Sequence, residues 1–110
     1  MIFGLGDNFY WDGVISIEDK RFVNTFEKVY GKLSTRQNIK NLDFWNVQGN
    51  HDHRGNATAQ ITYSHVKDTT WKLPDLWYSF EIRKSENLTM TIIMIDTMIM
   101  QSKLRNQNIL

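Results

Sequence analysis

Two short polar motifs, GDNFY and GNHDH, hold the residue types in this sequence that could do chemistry. Their candidate side chains are Asp7, Tyr10, Asn50, His51 and His53. Hard metal cations prefer oxygen and imidazole ligands, so a carboxylate, a phenol, an amide and imidazoles form a coherent ligand set. The chain has no cysteine, which excludes thiolate ligands. The two motifs together predict metal-dependent chemistry.

Tyr10 is the most diagnostic of these residues. A phenol with a pKa of about 10 becomes a good ligand at neutral or acidic pH only opposite a strong Lewis acid such as ferric iron. Asp7 and Asn50 are less specific when taken alone, because Gly-Asp and Gly-Asn are common turn dipeptides whose side chains often bond the nearby backbone.

The histidines differ in how strongly they indicate function. His51 and His53 could belong to a solvated loop, but the block GNHD directly after an apolar run favours a functional role. Asp96 also follows an apolar run, and without a partner motif it is better interpreted as a structural cap or a residue that supports a site. His65 is interpreted as a helix or surface residue.

The elements that position the two motifs are predicted strands. Ile2, Phe3 and Leu5 form an apolar run that predicts a buried strand ending at Asp7. The aromatic and β-branched stretch 42–48 predicts a second strand that runs into GNHDH. Because α/β folds bind ligands beyond the carboxyl ends of their strands, both motifs lie where a site is expected.

The other elements complete an α/β pattern. Phe22, Phe26, Val29 and Tyr30 have helical spacing, which predicts a helix with Ser16 as its N-cap and Gly31 as its stop. The stretches 77–82 and 90–95 read as strands joined by a polar hairpin or short connection at 83–87. Strands mixed with a helix predict an α/β layered fold.

Composition narrows the class of protein. The 110 residues are 41% hydrophobic and 23% charged, which is ordinary for one small globular domain. A formal net charge of +1 without a basic face argues against nucleic-acid binding. No apolar run is long enough for a membrane span, and no targeting segment is recognised.

Asn56 and Asn87 each begin an N-glycosylation acceptor pattern, which matters only in a secretory setting.

The motifs and their surroundings resemble the calcineurin-like metallophosphoesterases, and within them the small purple, or tartrate-resistant, acid phosphatases. The segments that carry the resemblance are GLGDNFY (4–10), DKRF (19–22), TFE (25–27), GNHDHRGN (49–56), AQI (59–61), YS (63–64) and IDT (95–97). They cover the chain up to about Thr97.

The resemblance implies a fold of four layers, in which two mixed β-sheets are flanked by helices, and a centre of Fe(III) beside divalent Fe, Zn or Mn. It implies that Asp7 bridges both metals, that Tyr10 binds the ferric ion and that Asn50 binds the divalent ion. His51 would bind phosphate and protonate the leaving alkoxide, with His53 also near substrate. The implied reaction is hydrolysis of phosphate monoesters by a secreted or lysosomal glycoprotein, and the resemblance leaves the oligomeric state open.

The chain departs from the family pattern in what it lacks. The family also has an earlier Gly-Asp aspartate and three later histidines, so residues 1–110 are expected to be a partial domain that is inactive alone and exposes sheet edges. Two alternatives stay open. One is another metallophosphoesterase, acting on diesters or nucleotides, and the other is a non-catalytic paralogue retained as a binding module.

Overall fold

The structure is a computed structural model that describes residues 1–106. Its strands are β1 (Ile2–Leu5), β2 (Phe44–Val47), β3 (Trp71–Lys72), β4 (Trp77–Ser85) and β5 (Leu88–Ile95). Its helices are a π-helix (Phe22–Glu27), a 3-10 turn (Asp52–Arg54), α1 (Ala57–Val66) and α2 (Thr97–Asn106). The chain is therefore a mixed α/β protein, as predicted.

The first sheet is parallel, in the order β1-β2-β3. Leu5 lies opposite Val47, so the loops that follow β1 and β2 leave the sheet at the same edge. The two motifs are thereby neighbours in space, although about 40 residues separate them in sequence. The prediction that β1 is buried was wrong for one face, since Leu5 is 82% exposed. In the described residues β1 has one strand neighbour and forms an edge of the sheet.

The predicted hairpin is confirmed as a second sheet of two antiparallel strands, β4 and β5. It packs on one face of the parallel sheet through aromatic side chains. The ring centroids of Phe80 and Trp45 are 4.3 Å apart, and those of Phe80 and Phe3 are 6.5 Å apart. The hydroxyl of Tyr78 donates to the backbone carbonyl of Asn46 at 2.7 Å, which adds a polar link between the sheets.

The hydrophobic core lies on the other face of the parallel sheet, beneath the π-helix and α1. The buried residues of this core are Phe9, Val14, Phe22, Phe26, Phe44, Ala59, Tyr63, Trp71 and Leu73. The rings of Phe22 and Tyr63 stack at 3.8 Å and join the two helices. The described residues thus form a helical layer, a parallel sheet and a hairpin sheet.

The predicted helix is shorter than expected and begins later. Regular helical structure covers Phe22–Glu27, and Ser16 does not cap it. The reason is that the carboxylate of Asp19 accepts hydrogen bonds from the backbone N–H groups of Ile15 and Arg21, which closes a turn before the helix. Near its end, the N–H of Gly31 bonds the carbonyl of Phe26, so the chain turns away where the stop was predicted.

The helices of residues 1–106 include none that is both long and apolar enough to cross a membrane.

Candidate metal centre

Glycines let the two motif loops approach each other closely. Gly6 has a φ of 96° and Asp7 a φ of 50°, so the chain turns sharply as it leaves β1. A positive φ is costly for a residue other than glycine, and such strain often occurs at functional sites. At Gly49, an added Cβ would lie 2.3 Å from Oδ1 of Asp7 and 2.5 Å from its backbone nitrogen. Only glycine fits this crossing point.

Asp7 and Tyr10 are already in contact. The Tyr10 hydroxyl donates to Oδ2 of Asp7 at 3.0 Å. The pKa of Asp7 is lowered, chiefly because the backbone N–H of His51 donates to its carboxylate. The pKa of Tyr10 is raised, chiefly because its hydroxyl is bonded to that carboxylate. The pair therefore presents an anionic carboxylate beside a protonated phenol.

Asp7, Tyr10 and Asn50 line one open pocket of about 580 Å³. The pocket lies between the ends of β1 and β2 and the start of α2, and Gln48, Ile95 and Met98 also line it. Its donor set of carboxylate, phenol and amide oxygens suits a hard cation.

His51 joins the two loops through contacts with residues of the first motif. Its backbone N–H donates to Oδ1 of Asp7 at 3.1 Å, and its ring lies 4.6 Å from that of Tyr10. Its Nδ1 is 2.6 Å from the backbone carbonyl of Trp11. A carbonyl can only accept, so Nδ1 donates to it, and Nε2 is the ring nitrogen that can face a substrate. That arrangement is suitable for a proton donor.

His53 lies elsewhere and contacts Asp96, between β5 and α2. Its Nε2 is 2.5 Å from Oδ2 of Asp96, whose side chain is almost fully buried. The other oxygen of Asp96 accepts from the backbone N–H of Met98, so Asp96 caps α2, as the sequence suggested. His53 therefore connects the second motif to the end of β5 and does not line the pocket with the three candidate ligands.

Asp52 is a residue whose role the sequence did not reveal. It is fully buried, and its carboxylate accepts four hydrogen bonds from both motif loops and from α1. The backbone N–H groups of Asn8 and Phe9 are more than 40 residues away in sequence, whereas Gly49 and Gln60 are three and eight residues away. No spacing rule connects Asp52 to the first motif, so no sequence pattern could have identified its link between the two loops.

The remaining predicted positions are accessible. Asn56 is exposed, and its side chain caps α1 by accepting from the N–H of Ala59 at 3.0 Å. Asn87 is exposed in the turn between β4 and β5. The exposed ring of His65 lies on α1, with Nε2 2.9 Å from the carbonyl of Pro74.

In the part of the chain that the structure describes, no three carboxylate or imidazole side chains converge closely enough to hold a metal ion.

Comparisons with known proteins show similarity to acid phosphatases. The chain is 43% identical over 97 residues to tartrate-resistant acid phosphatase type 5 of Oryctolagus cuniculus, which covers 87% of this chain and 28% of that protein. The Homo sapiens protein of the same name is 41% identical over 97 residues, with the same coverage. Purple acid phosphatase 7 of Arabidopsis thaliana is 36% identical over 61 residues, covering 56% of this chain and 17% of that protein.

No protein-family model matches the chain. Among solved structures, it is similar to GAP50, described as the anchor in the inner membrane complex of Plasmodium. That similarity has a TM-score of 0.63 and 26% identity, and covers 84% of this chain and 30% of the other.

The chain therefore spans less than a third of the length of these tartrate-resistant acid phosphatases, while they match nearly nine-tenths of its own residues. The resemblance inferred from the motifs is confirmed, and this chain corresponds to part of a domain of the purple acid phosphatase family.

Proposed function

We propose that this chain supplies part of a binuclear Fe(III)–M(II) centre for hydrolysis of phosphate monoesters, M being Fe, Zn or Mn. The observation that carries the proposal is the convergence of Asp7, Tyr10 and Asn50 on one pocket, with His51 in contact with Asp7 and Tyr10. Asp7 and Tyr10 would hold the ferric ion, with Asp7 shared between the metals, and Asn50 would bind the divalent ion. Bound there, the two cations would supply the Lewis acidity that polarises a phosphoryl group.

The protein's own residues would orient the substrate and manage protons. His51 would hold the ester beside the metal ligands and donate a proton from Nε2 to the leaving alkoxide, because Nδ1 is committed to the carbonyl of Trp11. Asp7 stays anionic because a backbone N–H stabilises its charge. For His53, the contact with Asp96 favours a role in holding the second motif, in place of the direct catalytic role that the resemblance implied.

Replacement of Tyr10 by phenylalanine tests the ferric site. A phenolate bound to Fe(III) gives visible charge-transfer absorption, so the purified chain titrated with Fe(III) should become coloured, and Tyr10→Phe should not. Tyr30→Phe, which removes an exposed phenol away from the pocket, is the control and should keep the colour. Identical spectra for all three proteins would contradict the assignment.

The isolated chain is expected to be nearly inactive. The pocket offers one carboxylate, one phenol and one amide, which together with water can hold one metal ion but leave most of the usual coordination of a two-metal centre to other ligands. Turnover of p-nitrophenyl phosphate by the purified, metal-loaded chain should not exceed that of the same metals in buffer. Robust turnover would disprove this part of the proposal.

A secreted or lysosomal location is proposed together with glycosylation at Asn56 and Asn87. Both asparagines are exposed, which is the accessibility that attachment of a glycan needs. Material from a secretory host should carry a glycan mass on the Asn56 peptide, and its complete absence would count against the location.

A non-catalytic binding module is the second candidate. The similarity to GAP50, a protein described as an anchor, supports it. Metal binding separates the two functions. A chain that folds but binds neither Fe(III) nor Zn²⁺ would favour a binding module.

A further inference from the structure

The buried carboxylate of Asp52 connects the two loops that hold the candidate ligands. Oδ2 accepts from the backbone N–H of Asn8 at 3.0 Å and from that of Gly49 at 2.9 Å. Oδ1 accepts from the backbone N–H of Phe9 at 3.1 Å and from the side chain of Gln60 at 2.9 Å. The side chain of Asp52 is fully buried, and all four donors are neutral.

These contacts adjoin the candidate ligands in the sequence. Asn8 and Phe9 are the two residues between Asp7 and Tyr10, and Gly49 directly precedes Asn50. A change in the hydrogen bonds to Asp52 would therefore alter the distance between the oxygens of Asp7 and Tyr10 in the first loop and the side-chain amide of Asn50 in the second. A carboxylate has about four acceptor positions, and here all of them are used. Asp52 thus has no acceptor position left for a metal ion.

We propose that Asp52 is the positioning residue of the metal centre, acting through the backbone of both loops without binding metal itself. This inference rests on the proposed function of the pocket. Gln60 orients the carboxylate from α1, since its amide nitrogen donates to Asp52 and its oxygen lies 3.4 Å from the side-chain nitrogen of Asn8. Charge matters as well as shape, because the negative carboxylate strengthens each of the four hydrogen bonds.

The variant Asp52→Asn tests the inference, with Glu27→Gln as a matched control. An asparagine at 52 keeps the size of the side chain but replaces two acceptor positions with N–H groups that face backbone donors. Glu27 is also buried, at 5% exposure, and accepts from Tyr63, Thr69 and the backbone of Lys32. It does not line the pocket. Both variants therefore disturb a buried carboxylate, and only one disturbs the motif loops.

Two measurements are made on each protein. In the metal-free chain, amide hydrogen exchange at Asn8, Phe9 and Gly49 should accelerate by about tenfold or more in Asp52→Asn and stay unchanged in Glu27→Gln. In titrations with Zn²⁺ and Fe(III), Asp52→Asn should weaken binding by about 10- to 100-fold, the usual effect of losing a group that orients metal ligands. Glu27→Gln should stay within about twofold of the wild type.

Each outcome supports or overturns the inference. Unchanged amide exchange, or faster exchange with wild-type metal affinity, overturns the positioning role and leaves the metal centre standing. Failure of the wild-type chain to bind either metal overturns the metal centre and the positioning role with it, whatever the exchange data show. If Asp52→Asn does not fold, the variant Gln60→Leu is titrated with the same metals, because it removes one hydrogen-bond donor to Asp52. Roughly threefold weaker metal binding would support the role, and wild-type affinity would overturn it.

Discussion

Single residues at the loop crossing decide whether the candidate ligands can meet. Gly49 packs against Asp7 so closely that no side chain fits between them. Asp7 itself holds a strained backbone conformation, with a φ of 50°, and the bond from the N–H of His51 to its carboxylate helps to keep it there. The strain lies at the residue proposed to bridge two metals, and strained backbone conformations cluster at functional sites.

Substitution of Gly49 by alanine should therefore separate the loops. The added Cβ would lie 2.3 Å from Oδ1 of Asp7, so the backbone has to shift. We expect a loss of about 1–3 kcal/mol in the free energy of unfolding, measured by urea denaturation, and weaker Fe(III) binding. A variant with wild-type stability and wild-type iron affinity would show that the crossing is not constrained as described.

At the scale of the elements, the hydrogen bond between the two sheets should make the fold less stable at high pH. The Tyr78 hydroxyl, which donates to the carbonyl of Asn46, is partly buried, and burial raises its pKa to about 12. The unfolded chain has a phenol pKa of about 10. A group whose pKa is higher in the folded state contributes its full stabilisation below pH about 10, and this contribution is lost as the pH rises towards 12.

Tyr78→Phe should accordingly flatten the decline of stability between about pH 10 and 12. Burial also raises the pKa of Tyr63, so the decline should be reduced but not abolished. At pH 8 the variant should lose about 1 kcal/mol, because one hydrogen bond is missing. Urea denaturation at a series of pH values measures both effects, with the exposed Tyr30→Phe as control. A decline as steep as that of the wild type would be evidence against the role of Tyr78.

The elements also show what the sequence could predict and what it could not. The strands β1 and β2 and the hairpin were predictable, because apolar runs ending in turn residues reflect local chemistry. The helix boundary was wrong because Asp19, four residues from Ile15, closes a competing turn. Helix α1 was not predicted, since its buried face includes the polar Gln60 and therefore lacks a clear apolar stripe. Partners that depend on tertiary contacts, such as those of Asp52, have no local pattern.

In the molecule as a whole, one end of the outer face of the hairpin is exposed and apolar. Trp77, Ile93 and Ile95 are 67%, 66% and 47% exposed, and strand pairing places them together on one face. In the described residues the π-helix and α1 cover the parallel sheet, while α2 reaches only the end of the hairpin, where Ile99 and Met100 line a pocket with Trp77 and Ile95. The predicted four-layer arrangement would have helices covering both outer faces. Exposed apolar faces of this kind favour association between molecules.

Replacement of Ile93 by lysine should therefore reduce self-association of the isolated chain. The lysine would place a charge within the apolar cluster of Trp77, Ile93 and Ile95 while leaving the packing of Phe80 on Trp45 unchanged. Thr91→Lys is the matched control, because Thr91 is an exposed residue on the same face of β5 but outside the apolar cluster. Sedimentation velocity over a range of protein concentrations should show larger species for the wild type and for Thr91→Lys, and fewer for Ile93→Lys. Equal association of all three proteins would mean that a different surface, such as the open edge of β1 with the exposed Leu5, brings the molecules together.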